Sequence, residues 1–178
     1  MEWHQAVRVI APHIVGISTP TLRGTGFLVS HSTITPIVGI ATAHHVAAHA
    51  HEWEHPIRIT HHDSKQSILL RHGERAIFLD EANDTAGVVF QKGELAPPDQ
   101  PPLLIAEKRS VKVGVEIGWL GFPAVSPSEL CFFSGRVSAY SSDSGHQRTL
   151  AVSGRVVEGG RALSTVIKKC SAMLSEAT

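Results

Sequence analysis

The chain has 178 residues, 42% hydrophobic and 18% charged, with 16 Lys and Arg balanced by 16 Asp and Glu. Such a composition suits one globular unit, or two small subdomains sharing a core. It offers no clustered positive excess to displace counterions from a phosphate backbone, which sets nucleic acid aside as a partner.

The opening Met1-Glu2-Trp3-His4-Gln5 has no basic n-region, and the apolar run behind it is broken by Arg8 and Pro12. No signal peptide is read there, and a cytoplasmic location is expected. No apolar stretch is long enough to span a bilayer, so no membrane partner is expected. Cys131 and Cys170 are too few for a disulfide framework and fit a reducing compartment.

Six short runs follow: Ile14 to Ile17, Thr25 to Ser30, Pro36 to Ala41, Pro56 to Thr60, Ser67 to Arg71 and Gly87 to Phe90. Each is rich in Val, Ile, Phe or Thr and bounded by Gly, Pro, Asp or Asn, which predicts a small antiparallel β unit over residues 1–93. Residues 94–103 hold four prolines in ten positions and read as an extended linker, because proline removes backbone donors and fixes φ. Strand-like runs resume at Val111 to Val115, Ile117 to Leu120, Cys131 to Ala139 and Thr149 to Val157, giving a second β unit over 104–160. After Gly160, Leu163, Val166, Ile167, Cys170, Met173 and Leu174 recur at spacings of three and four. That spacing predicts an amphipathic helix over 161–178.

Two chemistries compete for the histidine-rich segment 42–56. His51-Glu52-Trp53-Glu54-His55 spells H-E-x-x-H, in which a helix would aim both histidines at a zinc ion and leave Glu52 to activate its water. Pro56 follows at once, however, and would leave His55 on a fraying last turn. No later helix supplies a third ligand, so a zinc peptidase is the weaker reading.

The other reading rests on five stretches in order. Gly24-Thr-Gly-Phe-Leu-Val29, Ile40-Ala-Thr-Ala-His-His-Val46, Asn83-Asp84-Thr-Ala-Gly-Val-Val89, Val113-Gly-Val-Glu-Ile-Gly-Trp-Leu-Gly-Phe-Pro123 and Ser134-Gly-Arg-Val-Ser-Ala139 together resemble the strands of trypsin-like serine peptidases of the compact bacterial type. The resemblance implies an all-β fold of two antiparallel β-barrels joined by the proline-rich stretch. It also implies peptide hydrolysis without metal or cofactor, acting on a polypeptide substrate. His45 matches the family's general base and Asp84 the carboxylate that orients it. A serine hydroxyl becomes a nucleophile only when an imidazole takes its proton, and a carboxylate must hold that imidazole in the correct tautomer.

The resemblance fails at the nucleophile. The motif G-x-S-G-G-P, whose glycines expose the oxyanion-hole N–H groups, is absent. Ser144, in Ser142-Asp143-Ser144-Gly145, falls too early and reads as a turn. Arg161 occupies the expected place, and Ser164 is the nearest hydroxyl. One explanation is a change of reading frame near Gly159 or Gly160, since codons for Gly160 to Leu163 read one base out of phase permit Ser-Gly-Pro-Phe. The chain therefore reads as a trypsin-like endopeptidase domain with little or no turnover, with a pseudoprotease that binds a protein partner as the alternative. A second barrel left incomplete before the terminal helix would expose strand edges, so self-association is also expected.

Overall fold

A computed structural model of the chain describes residues 2–32, 34–98, 112–141, 148–153, 155–158, 161–164 and 174–175. Seven strands form the first sheet: β1 (Ile14–Ser18), β2 (Arg23–His31), β3 (Ile37–Thr42), β4 (Ile57–His61), β5 (Ser67–Leu70), β6 (Arg75–Asp80) and β7 (Thr85–Gln91). They run antiparallel in the order β5-β4-β1-β2-β3-β7-β6. Alternate residues face inward, as period-two patterning requires: Val15 and Ile17, Val38 and Ile40, Ile57 and Ile59, Val88 and Phe90 all lie in one core. Leu70 of edge strand β5 joins that core, and Ile77 of the opposite edge strand β6 packs on it. Two edges can share one core only if the sheet curls round it, so the unit is barrel-like.

The other face of β1 serves the second half. Ile14 clusters with Ile10 and with Leu120 of β8 (Glu116–Gly121), beside Phe27, Phe122 and Phe132. β8 pairs with β9 (Cys131–Ser141), and the second sheet runs β10-β9-β8-β13, where β10 is Arg148–Ser153 and β13 is Leu174–Ser175. A separate ladder joins β11 (Arg155–Glu158) to β12 (Arg161–Ser164). The molecule is mostly β: a curled first sheet and a smaller second one.

Helix α1 (Trp3–Ile10) was not legible as a helix in the sequence, because Arg8 interrupts its apolar run. Arg8 is exposed, while Ala6 and Ile10 are buried on the opposite side. The Trp3 indole N–H donates to Glu116 Oε1 at 3.1 Å, and its ring lies 5.3 Å from that of Phe132, so α1 packs on the second sheet.

Three expectations require correction. The helix expected over 161–178 is instead extended at Arg161–Ser164 and Leu174–Ser175, where backbone pairing with β11 and β8 overrides side-chain periodicity. The rest of that tail lies outside the described residues. Of the run expected at Val111 to Val115, the described residues 112–115 turn instead, with Gly114 at φ +88, a conformation open to glycine. The single strand expected over Thr149 to Val157 divides into β10 and β11.

Two imidazoles, His13 buried and His62 half-buried, make stability depend on pH. Burial, with repulsion from His31 and His61, holds His13 below its ordinary value of 6.5. Burial likewise lowers His62, with repulsion from Lys65 adding to the effect. As pH falls through about 6.5, the unfolded chain takes up protons that the folded chain refuses, so stability declines. The midpoint of thermal unfolding should therefore drop on acidification from about pH 7.5 to pH 5.5, and drop less in His13→Leu. A midpoint that rises on acidification would contradict this assignment.

Candidate active site

The site is built where β3 gives way to helix α2 (His44–Glu52). Ala43, Val46, Ala47 and Ala50 recur at helical spacing and are buried, which sets α2 against the barrel. Buried Thr42 fixes the start of the helix, since its hydroxyl donates to the Thr25 carbonyl at 2.8 Å. His45 then stands away from the buried stripe, with a side chain 64% exposed.

Asp84 closes the loop between β6 and β7. That loop is ordered by Asp80, whose carboxylate accepts the Asn83 backbone N–H at 3.1 Å and also the Asn83 side-chain amide. Asp84 adopts φ +50, a left-handed conformation that Asp tolerates better than most residues, and its N–H donates to the Glu81 carbonyl at 3.1 Å. Its carboxylate thereby meets the imidazole from 39 residues away. His45 Nδ1 lies 3.0 Å from Oδ1 and 2.9 Å from Oδ2, and the His45 backbone N–H donates to Oδ1 at 3.1 Å.

One carboxylate thus holds both the ring and the backbone of His45. It also satisfies an N–H in the first turn of α2, where a negative charge is favoured by the helix dipole. With Nδ1–H donated to Asp84, Nε2 is left as the proton acceptor. Among the described residues, no hydrogen bond engages Nε2.

The helix does not extend through the H-E-x-x-H stretch. It ends at Glu52, Trp53 caps it, and Glu54 turns to φ +52. His51 and Glu52 are exposed, while His55 lies past the helix, half-buried with Nδ1 unpartnered among the described residues. The i, i+4 alignment needed for a zinc pair is lost, and no cluster of three metal-binding side chains occurs among the described residues.

Ser144 lies outside the described residues. Ser164 is the last residue of β12 and pairs with Arg155, so it sits on a strand and not on a terminal helix.

Arg75 ties helix α2 to the sheet, a role that the sequence did not reveal. Its guanidinium donates to the carbonyls of Leu70 at 2.7 Å, Ala50 at 3.0 Å and His55 at 2.6 Å, tying the end of α2 to the sheet. Nothing local marks it, because its three partners come from separate segments.

A profile of the family described as "Trypsin-like peptidase domain" matches residues 24–173, running on past the point where the recognisable motifs stop. No curated protein matches the chain. Among solved structures, Deg5 is similar at 16% identity, with a TM-score of 0.62 over 98% of this chain and 82% of that one. A serine-to-alanine mutant of Rv3671c from M. tuberculosis H37Rv, in an inactive form, is similar at 20% identity and TM-score 0.52 over 76% of this chain. The match spans about half, 54%, of that Rv3671c chain. The Rv3671c protease in its inactive form is likewise similar at 20% identity and TM-score 0.54, over 86% of this chain and 61% of that one. At these identities the structures establish the fold alone.

Proposed function

Because the chain belongs to the trypsin-like peptidase domain family, we propose that it is a serine endopeptidase domain in which His45 is the general base and Asp84 its orienting partner. The observation that carries this reading is the contact of the Asp84 carboxylate with both Nδ1 and the backbone N–H of His45. In this scheme a serine hydroxyl passes its proton to His45 Nε2 as its oxygen bonds to the scissile carbonyl carbon. Nε2–H then protonates the departing amine as the C–N bond breaks. Water, deprotonated by the same nitrogen, releases the acyl group. Asp84 stays ionised and stabilises the imidazolium formed in each half-reaction.

No G-x-S-G-G-P motif is present to supply the nucleophile, so turnover is expected to be slight or nil. The same absence favours a second reading, a pseudoprotease that holds a polypeptide without cutting it. A fluorophosphonate probe separates the two. The chain as written should show no labelling that depends on His45. Stoichiometric labelling that disappears in His45→Ala would mean that a functional serine is present and that the domain is a working hydrolase. Resequencing the gene from independent isolates tests the frame change near Gly159 or Gly160: a base insertion or deletion there supports it, and an intact frame removes it.

A further inference from the structure

A cleft of about 660 Å³ lies between the outer face of β1, β2 and β4 and the loop from Phe122 to Ser128. Strand register determines its floor. Ser18 pairs with Arg23 on one side and Arg58 on the other, so all three side chains stand in one row on one face. The next row is Thr25, Gly16 and Thr60, and Gly16 leaves its centre empty. The ring of Phe122 forms the opposite wall, 3.7 Å from where a Cβ on Gly16 would stand.

The lining is cationic. Arg23, Arg58 and Lys65 contribute to it, and no Asp or Glu does among the described residues. Strands two apart are separated by about 10 Å, so the two arginines flank Ser18 on one face. Neither has an ion-pair partner among the described residues, and Arg58 makes only a 3.5 Å contact with Ser67 Oγ. His62, also in the lining, keeps a buried Nδ1 with no partner among the described residues. The acids that act on it, Asp63 and Glu129, leave the cleft with a positive balance.

The cleft ends against the helix that carries His45. Gly24 abuts Val46, and Thr21 Oγ1 lies 3.4 Å from His49 Nδ1. We propose that this cleft docks an acidic polypeptide segment, whose side-chain carboxylates meet Arg23 and Arg58 while the chain runs on toward His45. Extended chain places alternate side chains about 7 Å apart on one face, a spacing that two long arginines can bracket. Arginine suits the role, because its planar fork matches a carboxylate. The proposal deepens the peptidase-family reading by naming the class of polypeptide held, but the binding itself needs no hydrolysis.

The test is fluorescence anisotropy with a labelled hexapeptide of alternating Asp and Ser, beside its Lys and Ser counterpart. The acidic peptide should bind saturably and the basic one should not. Arg23→Glu and Arg58→Glu should each weaken binding by about tenfold or more, as should a rise in salt. Arg8→Glu, an equal charge change on exposed α1, should bind as the unaltered chain does, and unchanged melting curves would show that all three variants fold. His45→Ala should also bind normally, so a failure of the catalytic reading leaves this result intact. Equal binding by all variants, binding of inorganic phosphate but not the peptide, or no binding at all would each overturn the proposal.

Discussion

Replacing Arg75 by methionine is expected to destabilise the domain by about 3 kcal/mol and to lower its melting temperature by roughly 10 °C. The guanidinium supplies charge-assisted hydrogen bonds to three carbonyls, those of Ala50, His55 and Leu70. Methionine preserves much of the aliphatic stem and removes every donor, leaving three partly buried acceptors to find water. Ala50 lies near the end of α2, where unpaired carbonyls and the negative end of the helix dipole favour a cation. Burial lowers the Arg75 pKa below its ordinary value without a compensating acid among its causes, so what keeps the charge in place is the carbonyl cage. Arg58→Met is the comparison: exposed and bonded only to Ser67 Oγ at 3.5 Å, it should change stability by less than about 0.5 kcal/mol. Thermal melts of the two variants decide the matter, and equal losses would refute the carbonyl-cage account.

Gly24→Ala is expected to cost about 2 kcal/mol and to disturb the candidate active site as well. A Cβ at position 24 would lie 2.5 Å from Val46 Cγ2, 2.9 Å from Cγ1 and 3.3 Å from Cβ. Val46 is buried at the start of α2 and adjoins His45 in sequence. The methyl group must therefore push the first turn of the helix away from β2, and with it the imidazole away from Asp84. Val46→Ala alone should destabilise by a similar amount through lost packing. Combined with Gly24→Ala, it removes both clashing methyls, so the double variant should be more stable than the sum of the single losses predicts by about 1 kcal/mol or more. Additive losses would mean that Gly24 is not required by the approach of Val46.

The sequence was most legible where short apolar strands are bounded by turn residues. β1 to β5 and β7 to β9 all announced themselves as runs rich in Val, Ile, Phe or Thr between turn residues, because β-branched and aromatic side chains suit a pleated, packed surface. β6 did not. As an edge strand it leaves Phe78 and Leu79 exposed, so its apolar run Ala76 to Leu79 shows no clean alternation. The tail misled for the opposite reason: spacings of three and four met a helical template, yet Arg161–Ser164 and Leu174–Ser175 pair as strands. His45 and Asp84 were picked out by the motifs around them, whereas their contact depends on a left-handed Asp84 and the Asp80–Asn83 turn, which no local pattern announces. The H-E-x-x-H match fails because the helix stops three residues before His55.

In the proposed mechanism Asp84 fixes His45 as a base with Nε2 free to take a proton. Long-range proton–nitrogen NMR of the imidazoles at alkaline pH, where the ring is neutral, tests it directly. The His45 ring should carry its proton on Nδ1, held toward the 2.9 Å contact with Asp84, and this preference should disappear in Asp84→Ala. A His45 ring protonated on Nε2, or one indifferent to the loss of Asp84, would contradict it.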